Sequence, residues 1–244
     1  MDHQSPKIRK NIPQVTTHLR QDYIKIPDVI RRSSGINING KRIKSLIFTT
    51  DLSIIANNDA DAVLAVYPFT PSPSVIQGIA IASSLPIMAG VGGGTTQGLR
   101  SANMALFAES LGARAVVVNN PTPFETVKMI DDMVDIPIVM TIVSEHSDIA
   151  GRLNAGVDIL NVSGGKETAR IVRAIRESFP DVPIIATGGA TDESIIETIE
   201  AGANAITYTP PSTSELFAGR MRGYRETERQ RAIEKGLISA DEEK

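Results

Sequence analysis

The sequence predicts an α/β chain folded as a single closed (β/α)8 barrel, and three observations carry the prediction. From Lys44 onward, short apolar and β-branched runs recur eight times, over 45–50, 62–67, 86–90, 113–119, 137–143, 158–162, 183–187 and 205–208. The entries to these runs alternate in kind. Leu85-Pro86-Ile87, Ile136-Pro137-Ile138 and Val182-Pro183-Ile184 open the third, fifth and seventh, whereas Leu111-Gly112-Ala113, Ala155-Gly156-Val157 and Ala201-Gly202-Ala203 precede the fourth, sixth and eighth. The intervening segments carry apolar residues at helical spacing. A repeat built from two strand–helix units favours a closed barrel over an open doubly wound sheet. The length of 244 residues suits one such barrel, which typically needs about 250.

Taken in order, the first 15 residues are polar with two prolines and predict a loosely docked start. Residues 23–32 space their apolar side chains for a short helix after Pro27, stopped by Ser33-Ser34-Gly35. Residues 36–43 alternate around Asn39-Gly40, a strong hairpin signal, and a hairpin just ahead of the first barrel strand is placed to plug the amino-terminal mouth. The expected organisation is therefore an arm and hairpin over 1–44, a barrel over 45–235 and a polar tail over 236–244. Among the helices, 98–111 sets Leu99, Ala102, Leu106 and Leu111 on one face, and 126–134 and 167–179 show similar stripes. Residues 191–201 carry Ile195, Ile196 and Ile199, with Thr191 or Asp192 as N-cap and Gly202 as stop. The last helix begins near Ser214 and is rich in arginine, which reads as a solvated face or, alternatively, a homo-oligomer contact.

Composition narrows the function. The absence of Cys excludes a disulfide scaffold, thiolate-bound zinc and a Cys nucleophile. No apolar run approaches the roughly 20 residues that span a bilayer, and no apolar segment follows the basic N-terminal residues, so a soluble cytoplasmic protein without membrane partners is expected. Residues 1–44 hold ten Lys/Arg against three Asp, beneath a net charge of −3 for the chain. These charges are scattered instead of blocked, and with 4% aromatic content and no Trp they argue against nucleic acid.

Chemistry in a (β/α)8 barrel sits at the carboxyl ends of the strands. The ring of candidates there comprises Asp51, Tyr67 to Thr70, Gly90 to Thr96, Asn119-Asn120, Ser144-Glu145-His146, Asn161, Ser163-Gly164-Gly165, Thr187-Gly188-Gly189 and Thr209 to Ser212. No expected strand carries a lysine, which argues against a Schiff base. His146 is the one His of the barrel and has no second ligand at metal spacing, so no metal site is evident. The acid/base set is Asp51, Glu145 and His146, each with a structural alternative as helix cap or helix start. Glu145 and His146 are adjacent, so an extended backbone would send them to opposite faces and admit one of them to a pocket. Asn119 and Asn161 offer amides, and Ser163 and Thr209 hydroxyls, to a polar ligand. Gly92 and Gly93 belong to a triple glycine too dense for a simple turn, suited to a second phosphate, a flat ring or a hinge.

The strand 183–187, the turn Gly188-Gly189 and the helix after it form a unit whose backbone N–H groups can approach an anion. In these residues the chain resembles the phosphate-binding branch of the TIM barrels, the ribulose-phosphate-binding barrels and their FMN-binding cousins. The resemblance implies that Thr187, Gly188 and Gly189 hold a phosphate shared with the turn after strand eight. That second turn departs from the pattern: Thr209-Pro210-Pro211-Ser212 stands where Gly-Ser or Gly-Thr is common, and prolines donate no N–H. An anion there would use Ser212, Thr213 and Ser214, which also read as a capping box with Glu215. The chain further resembles uncharacterised bacterial barrel proteins carrying a generic hydrolase label. The implied function is an enzyme that binds a small phosphorylated metabolite and acts by acid/base chemistry of isomerase, lyase or hydrolase type. An FMN-dependent oxidoreductase and a non-catalytic phosphate-ligand sensor or assembly partner remain as alternatives.

Overall fold

The structure, a computed structural model, describes residues 13–239; the expectations for the first 12 residues and for 240–244 lie outside the described residues. A hairpin of β1 (Ile36–Ile38) and β2 (Lys41–Ile43) comes first, followed by eight parallel strands: β3 (Ser45–Phe48), β4 (Ala62–Ala65), β5 (Ile87–Gly92), β6 (Ala115–Val118), β7 (Ile138–Ile142), β8 (Ile159–Val162), β9 (Ile184–Thr187) and β10 (Ala205–Tyr208). Each pairs with its sequence neighbours, and β10 closes on β3 with Thr207 opposite Leu46, so the expected closed barrel is observed. The helices between the strands are α1 (Leu52–Ile55), α2 (Pro73–Ala82), α3 (Leu99–Ser110), α4 (Phe124–Asp131), α5 (Ile149–Asn154), α6 (Thr168–Ser178) and α7 (Asp192–Glu200), with α8 (Thr213–Glu234) after β10.

Two apolar cores follow from strand alternation. One lies between strands and helices and includes Ile47, Val63, Val116, Met140, Leu160 and Ile206. The other fills the barrel itself: Leu46, Ala62, Leu64, Met88, Ala115, Val117, Val139, Ile159, Ile185 and Ala205 cluster with the hairpin residues Ile36, Ile38 and Ile43. Asn39 and Gly40 both take positive φ, 48° and 82°, as a two-residue hairpin turn compatible with strand twist requires. The hairpin's isoleucines therefore complete the core at the end where the strands begin.

Polar side chains fix that end too. Asp61, just before β4, accepts from the backbone N–H of Lys44 and Ser45, and Asp158, just before β8, accepts from Ile138 N–H at 2.8 Å. Asn204 repeats the arrangement before β10 by accepting from Ile184 N–H, and Arg176 reaches the carbonyls of Pro180, Val182 and Gly202.

Two helices differ from expectation. The segment after Pro27 is a 3-10 helix, Asp28–Arg32, whose Ile30 is buried and which packs against α7. On α3 the predicted face is split: Ala102 is buried and Leu111 packs on the core as expected, but Leu99, 62% exposed, and Leu106 turn outward, and Ser101, Ala105 and Ala108 face inward instead. The cause is proximity to β5: a Cβ at Gly92 would lie 2.2 Å from Ser101 Oγ, so small residues alone fit where the helix meets the strand. Helix α8 buries none of its residues. Among the described residues, no helix is long and apolar enough to cross a membrane, and no three His, Cys, Asp or Glu side chains gather as a metal site.

Candidate functional site

At the carboxyl-terminal mouth the inward positions change from aliphatic to polar. Following the alternation two residues on, Val117 gives way to Asn119, Val139 to Thr141, Ile159 to Asn161 and Ser163, Ile185 to Thr187, and Ala205 to Thr207 and Thr209. These side chains line an axial cavity of about 190 Å³, closed on the β3–β4 side by Phe48, Leu64 and Val66. The cavity thus has a hydroxyl and amide wall facing an apolar one, and none of its lining residues is titratable.

Within the polar wall, Asn161 donates its amide nitrogen to Thr141 Oγ1 at 3.2 Å, which turns Oδ1 the other way. Asn161 Oδ1 has no hydrogen-bond partner among the described residues, and neither has Thr207 Oγ1; both residues are only 6% exposed. A third buried orphan, Thr122 Oγ1, lies outside this cavity. Thr187 and Ser163 approach each other through their hydroxyls at 3.4 Å.

Gly188 and Gly189 follow directly. The N–H of Gly188 points to Thr207 O at 3.4 Å. A Cβ at Gly188 would lie 2.7 Å from Ile206 Cγ2 and 2.9 Å from Ile195 Cγ1, so packing alone demands glycine there. Gly189 has φ of 83° and turns the chain into α7, whose cap is a reciprocal Thr191–Ser194 pair. The first turn of α7 carries Asp192 and Glu193, so an anion at this turn would meet backbone N–H groups but also two nearby carboxylates.

The second half of the expected phosphate site is occupied by the chain itself. Ser212 caps α8, and its N–H and hydroxyl both engage Glu215 Oε2 at 2.7 Å. Thr213 donates its hydroxyl to Asp51, which also caps α1 by accepting from Ser53 N–H at 2.8 Å. These bonds hold the carboxyl of Asp51, chiefly through the Ser53 and Thr213 hydroxyls, and that of Glu215, through Ser212, below their ordinary values.

The acid/base trio is not brought together, which corrects the expectation that Glu145 or His146 enters the pocket. Glu145 lines a groove between α5 and α6 and pairs with Arg170 of α6, whose charge and hydrogen bonds lower its pKa. The His146 side chain is 88% exposed. Glu145 thus faces α6 and not the axial cavity. Asp51 stays at the rim, beside the start of α8. The triple glycine lines a second cavity of about 260 Å³ together with Tyr67 and Phe69, and this cavity shares Val66 and Asn119 with the axial one. Its tip is a tight hairpin, Gly93 N–H to Thr96 O at 3.0 Å, and Gly93 sits so close that a Cβ would lie 2.6 Å from Asn119 Cβ.

Thr141 and Thr207, absent from the candidates above, also line this cavity, as the last inward residues of their strands. Their signal was the step from Val139 and Ala205 to a hydroxyl two residues later.

No family model matches this chain. A stretch of 70 residues, 26% of the chain, is 40% identical to inosine-5'-monophosphate dehydrogenase of Halalkalibacterium halodurans; the chain spans only 14% of that protein. Among solved structures, a phosphonopyruvate hydrolase in complex with oxalate and magnesium superposes with a TM-score of 0.60 at 12% identity, covering 84% of this chain and 90% of the other. The phosphoenolpyruvate phosphomutase of Streptomyces platensis subsp. rosaceus gives 0.55 at 14%, covering 79% and 83%, and a dihydrodipicolinate synthase of Bacillus anthracis gives 0.52 at 14%, covering 79% and 76%. At such identities the likeness is one of fold, and the chain takes its place among the TIM barrels.

Proposed function

We propose that the protein binds a small phosphorylated metabolite at the carboxyl-terminal mouth of its barrel and acts on it by acid/base chemistry of the isomerase, lyase or hydrolase type. The observation that carries this reading is the double membership of Thr187, which ends the wall of the axial cavity and begins the Gly188-Gly189 turn. One ligand can then set its phosphate against the N–H of Gly189, that of Gly188 being directed to Thr207 O, while its body fills the cavity. The 40% identical stretch in a dehydrogenase named for a nucleoside monophosphate supports a phosphorylated ligand. Of the three acid/base candidates, Asp51 is the one left at the rim of the mouth, where the Ser53 and Thr213 hydroxyls keep it ionised at the expense of its basicity.

A second reading, a binder without turnover, is favoured by one observation: the axial cavity has no titratable side chain in its lining. A thermal-shift series with sugar phosphates, nucleoside monophosphates, FMN and inorganic phosphate, with flavin absorbance read on the same sample, tests both. A shift that Gly189→Asp removes supports the phosphate seat, and silence across the series sinks it. Conversion of a hit that Asp51→Asn abolishes supports catalysis; binding without conversion leaves the second reading.

A further inference from the structure

The place on the barrel wall between α7 and α1, where an eighth helix would pack, is filled from the amino-terminal side. The 3-10 helix Asp28–Arg32 packs against α7. Just before it, Ile24 N–H bonds to Asn57 O at 2.9 Å and Ile26 N–H to Asp59 Oδ1 at 2.8 Å, which ties the segment to the residues after α1. Ile26 and Ile30 are buried in the core between strands and helices with Ile47 of β3 and Ile206 of β10, the strands an eighth helix would cover. Helix α8 is thereby displaced. Thr213 anchors its start to Asp51 and Arg220 pairs with Asp22 at 2.9 Å, yet none of its 22 residues is buried.

From this displaced helix we infer that α8 docks on α8 of a second copy of the chain, antiparallel, about a two-fold axis at Tyr224. The inference is independent of what the barrel mouth binds.

A helix in a folded protein is stabilised chiefly by the apolar face it buries, and the interior glycines Gly219 and Gly223 weaken α8 further when it stands alone. It presents such a face to solvent. Phe217, Met221 and Tyr224 lie at i, i+4 and i+7, and Phe217 and Tyr224 are 65% and 59% exposed. The same stripe runs on through Glu228 and Arg231, with Arg220 beside its apolar half. One half of the stripe is therefore apolar and basic, and the other carries the carboxylate.

That distribution selects both the partner and its direction. Antiparallel about Tyr224, Arg220 of each copy faces Glu228 of the other, Phe217 faces an Arg231 guanidinium, and the two Tyr224 rings meet at the axis. A parallel pair would set Arg220 against Arg220 and Glu228 against Glu228. Self-complementarity is what a two-fold contact between identical copies requires. A helix of this length is about 33 Å long and about 10 Å wide, a footprint below the roughly 800 Å² per partner of a standard interface. A groove of about 730 Å³ beside Phe217, lined also by Tyr23, Ile24, Ile54 and Leu216, extends the surface, and the last turn of the other copy would lie against it. The expected result is a dimer with a Kd on the order of micromolar.

Sedimentation equilibrium of the full chain from about 1 to 300 μM tests this, and the mass should rise towards twice 26.2 kDa. Tyr224→Glu places two carboxylates at the axis and should raise the dimer Kd at least about 30-fold. At monomer concentrations its circular dichroism and melting temperature should match wild type, because Tyr224 is exposed within one copy. Arg220→Glu and Glu228→Arg should each raise the Kd about 10-fold, and the two together should restore it to within about 3-fold of wild type. The chain has no Cys, so Tyr224→Cys sets a lone thiol beside its symmetry mate. Diamide should link that variant into a disulfide dimer well ahead of Arg222→Cys, which lies on the far side of the helix.

A monomer across the whole range overturns the inference, as does a dimer that Tyr224→Glu and both charge variants leave unchanged. Weakening in the single charge variants without recovery in the double variant overturns the antiparallel register. A lower melting temperature of Tyr224→Glu at monomer concentrations assigns the face to a contact within one chain and overturns the inference as well.

Discussion

Two layers of the same barrel, two residues apart along the strands, behave as opposites. In the lower layer Val139, Ile159, Ile185 and Ala205 are sealed against the hairpin isoleucines, with every side chain matched to apolar neighbours. In the upper layer Thr141, Asn161, Thr187 and Thr207 occupy the next inward positions and leave two polar oxygens unpaired. The backbone is continuous and the strand register unchanged, with Thr141 opposite Asn161 and Thr207 opposite Thr187. The difference is that apolar packing and an unpaired polar lining are separated along the barrel axis by one pleat.

The sharpest way to break that division is to carry the upper chemistry down one step. Ile185→Asn would place an amide without partners in a fully buried position and lose the packing of an isoleucine. A loss of about 4 kcal/mol or more is expected in urea denaturation. Thinning the seal should cost less: Ile38→Ala, in the hairpin, should destabilise by about 2–4 kcal/mol, read from the same denaturation midpoint. At the junction of layers and turn, Gly188→Ala forces a methyl against Ile206 and Ile195 and should cost about 1–3 kcal/mol, with the calorimetric melting temperature falling accordingly.

The smallest effect belongs to the rim. Asp51→Ala removes a helix cap and the acceptor of Thr213, and should cost about 0.5–1 kcal/mol, because water screens a carboxylate this exposed. Asp51 and Glu215 both have folded pKa values below their unfolded ones, so their stabilisation is present above the ordinary carboxylate range and is lost as pH falls through the lowered values. Asp158 runs the other way: burial raises its pKa, so protonation favours the fold and the ionised form weakens it as pH rises through the raised value. Hydrogen-exchange protection at the start of α8, taken relative to the intrinsic rate at each pH, should therefore fall on acidification below about pH 4, and the β7–β8 entry should not follow it.

Much of the fold was legible because it is written in local period. Eight apolar runs, proline and glycine entries and an Asn-Gly turn each act within a few residues. On α3 the places of Leu99 and Leu106 were not legible, because exposure there depends on how closely Gly92 lets the helix approach, a property of two separate segments. The site was legible in part for the same reason. Asn119, Asn161, Ser163, Thr187 and Thr209 follow from strand ends and alternation, and all five line the axial cavity. Glu145 misled because the residue that claims it, Arg170, lies 25 positions away on another element, and nothing local announces the pairing. Ser212 and Asp51 were readable as caps from sequence, and the structure places both in that role.

The hairpin that closes the lower layer has a consequence for how the chain reaches this state. Its isoleucines find partners from Leu46 to Ala205, contributed by strands all around the ring, although the hairpin itself precedes them all. A nascent or half-formed barrel cannot supply that surroundings. The cork has its full set of partners only when the last staves are in place, so ring closure and plugging are expected to be coupled and late, slowed by the long sequence separation they must bridge.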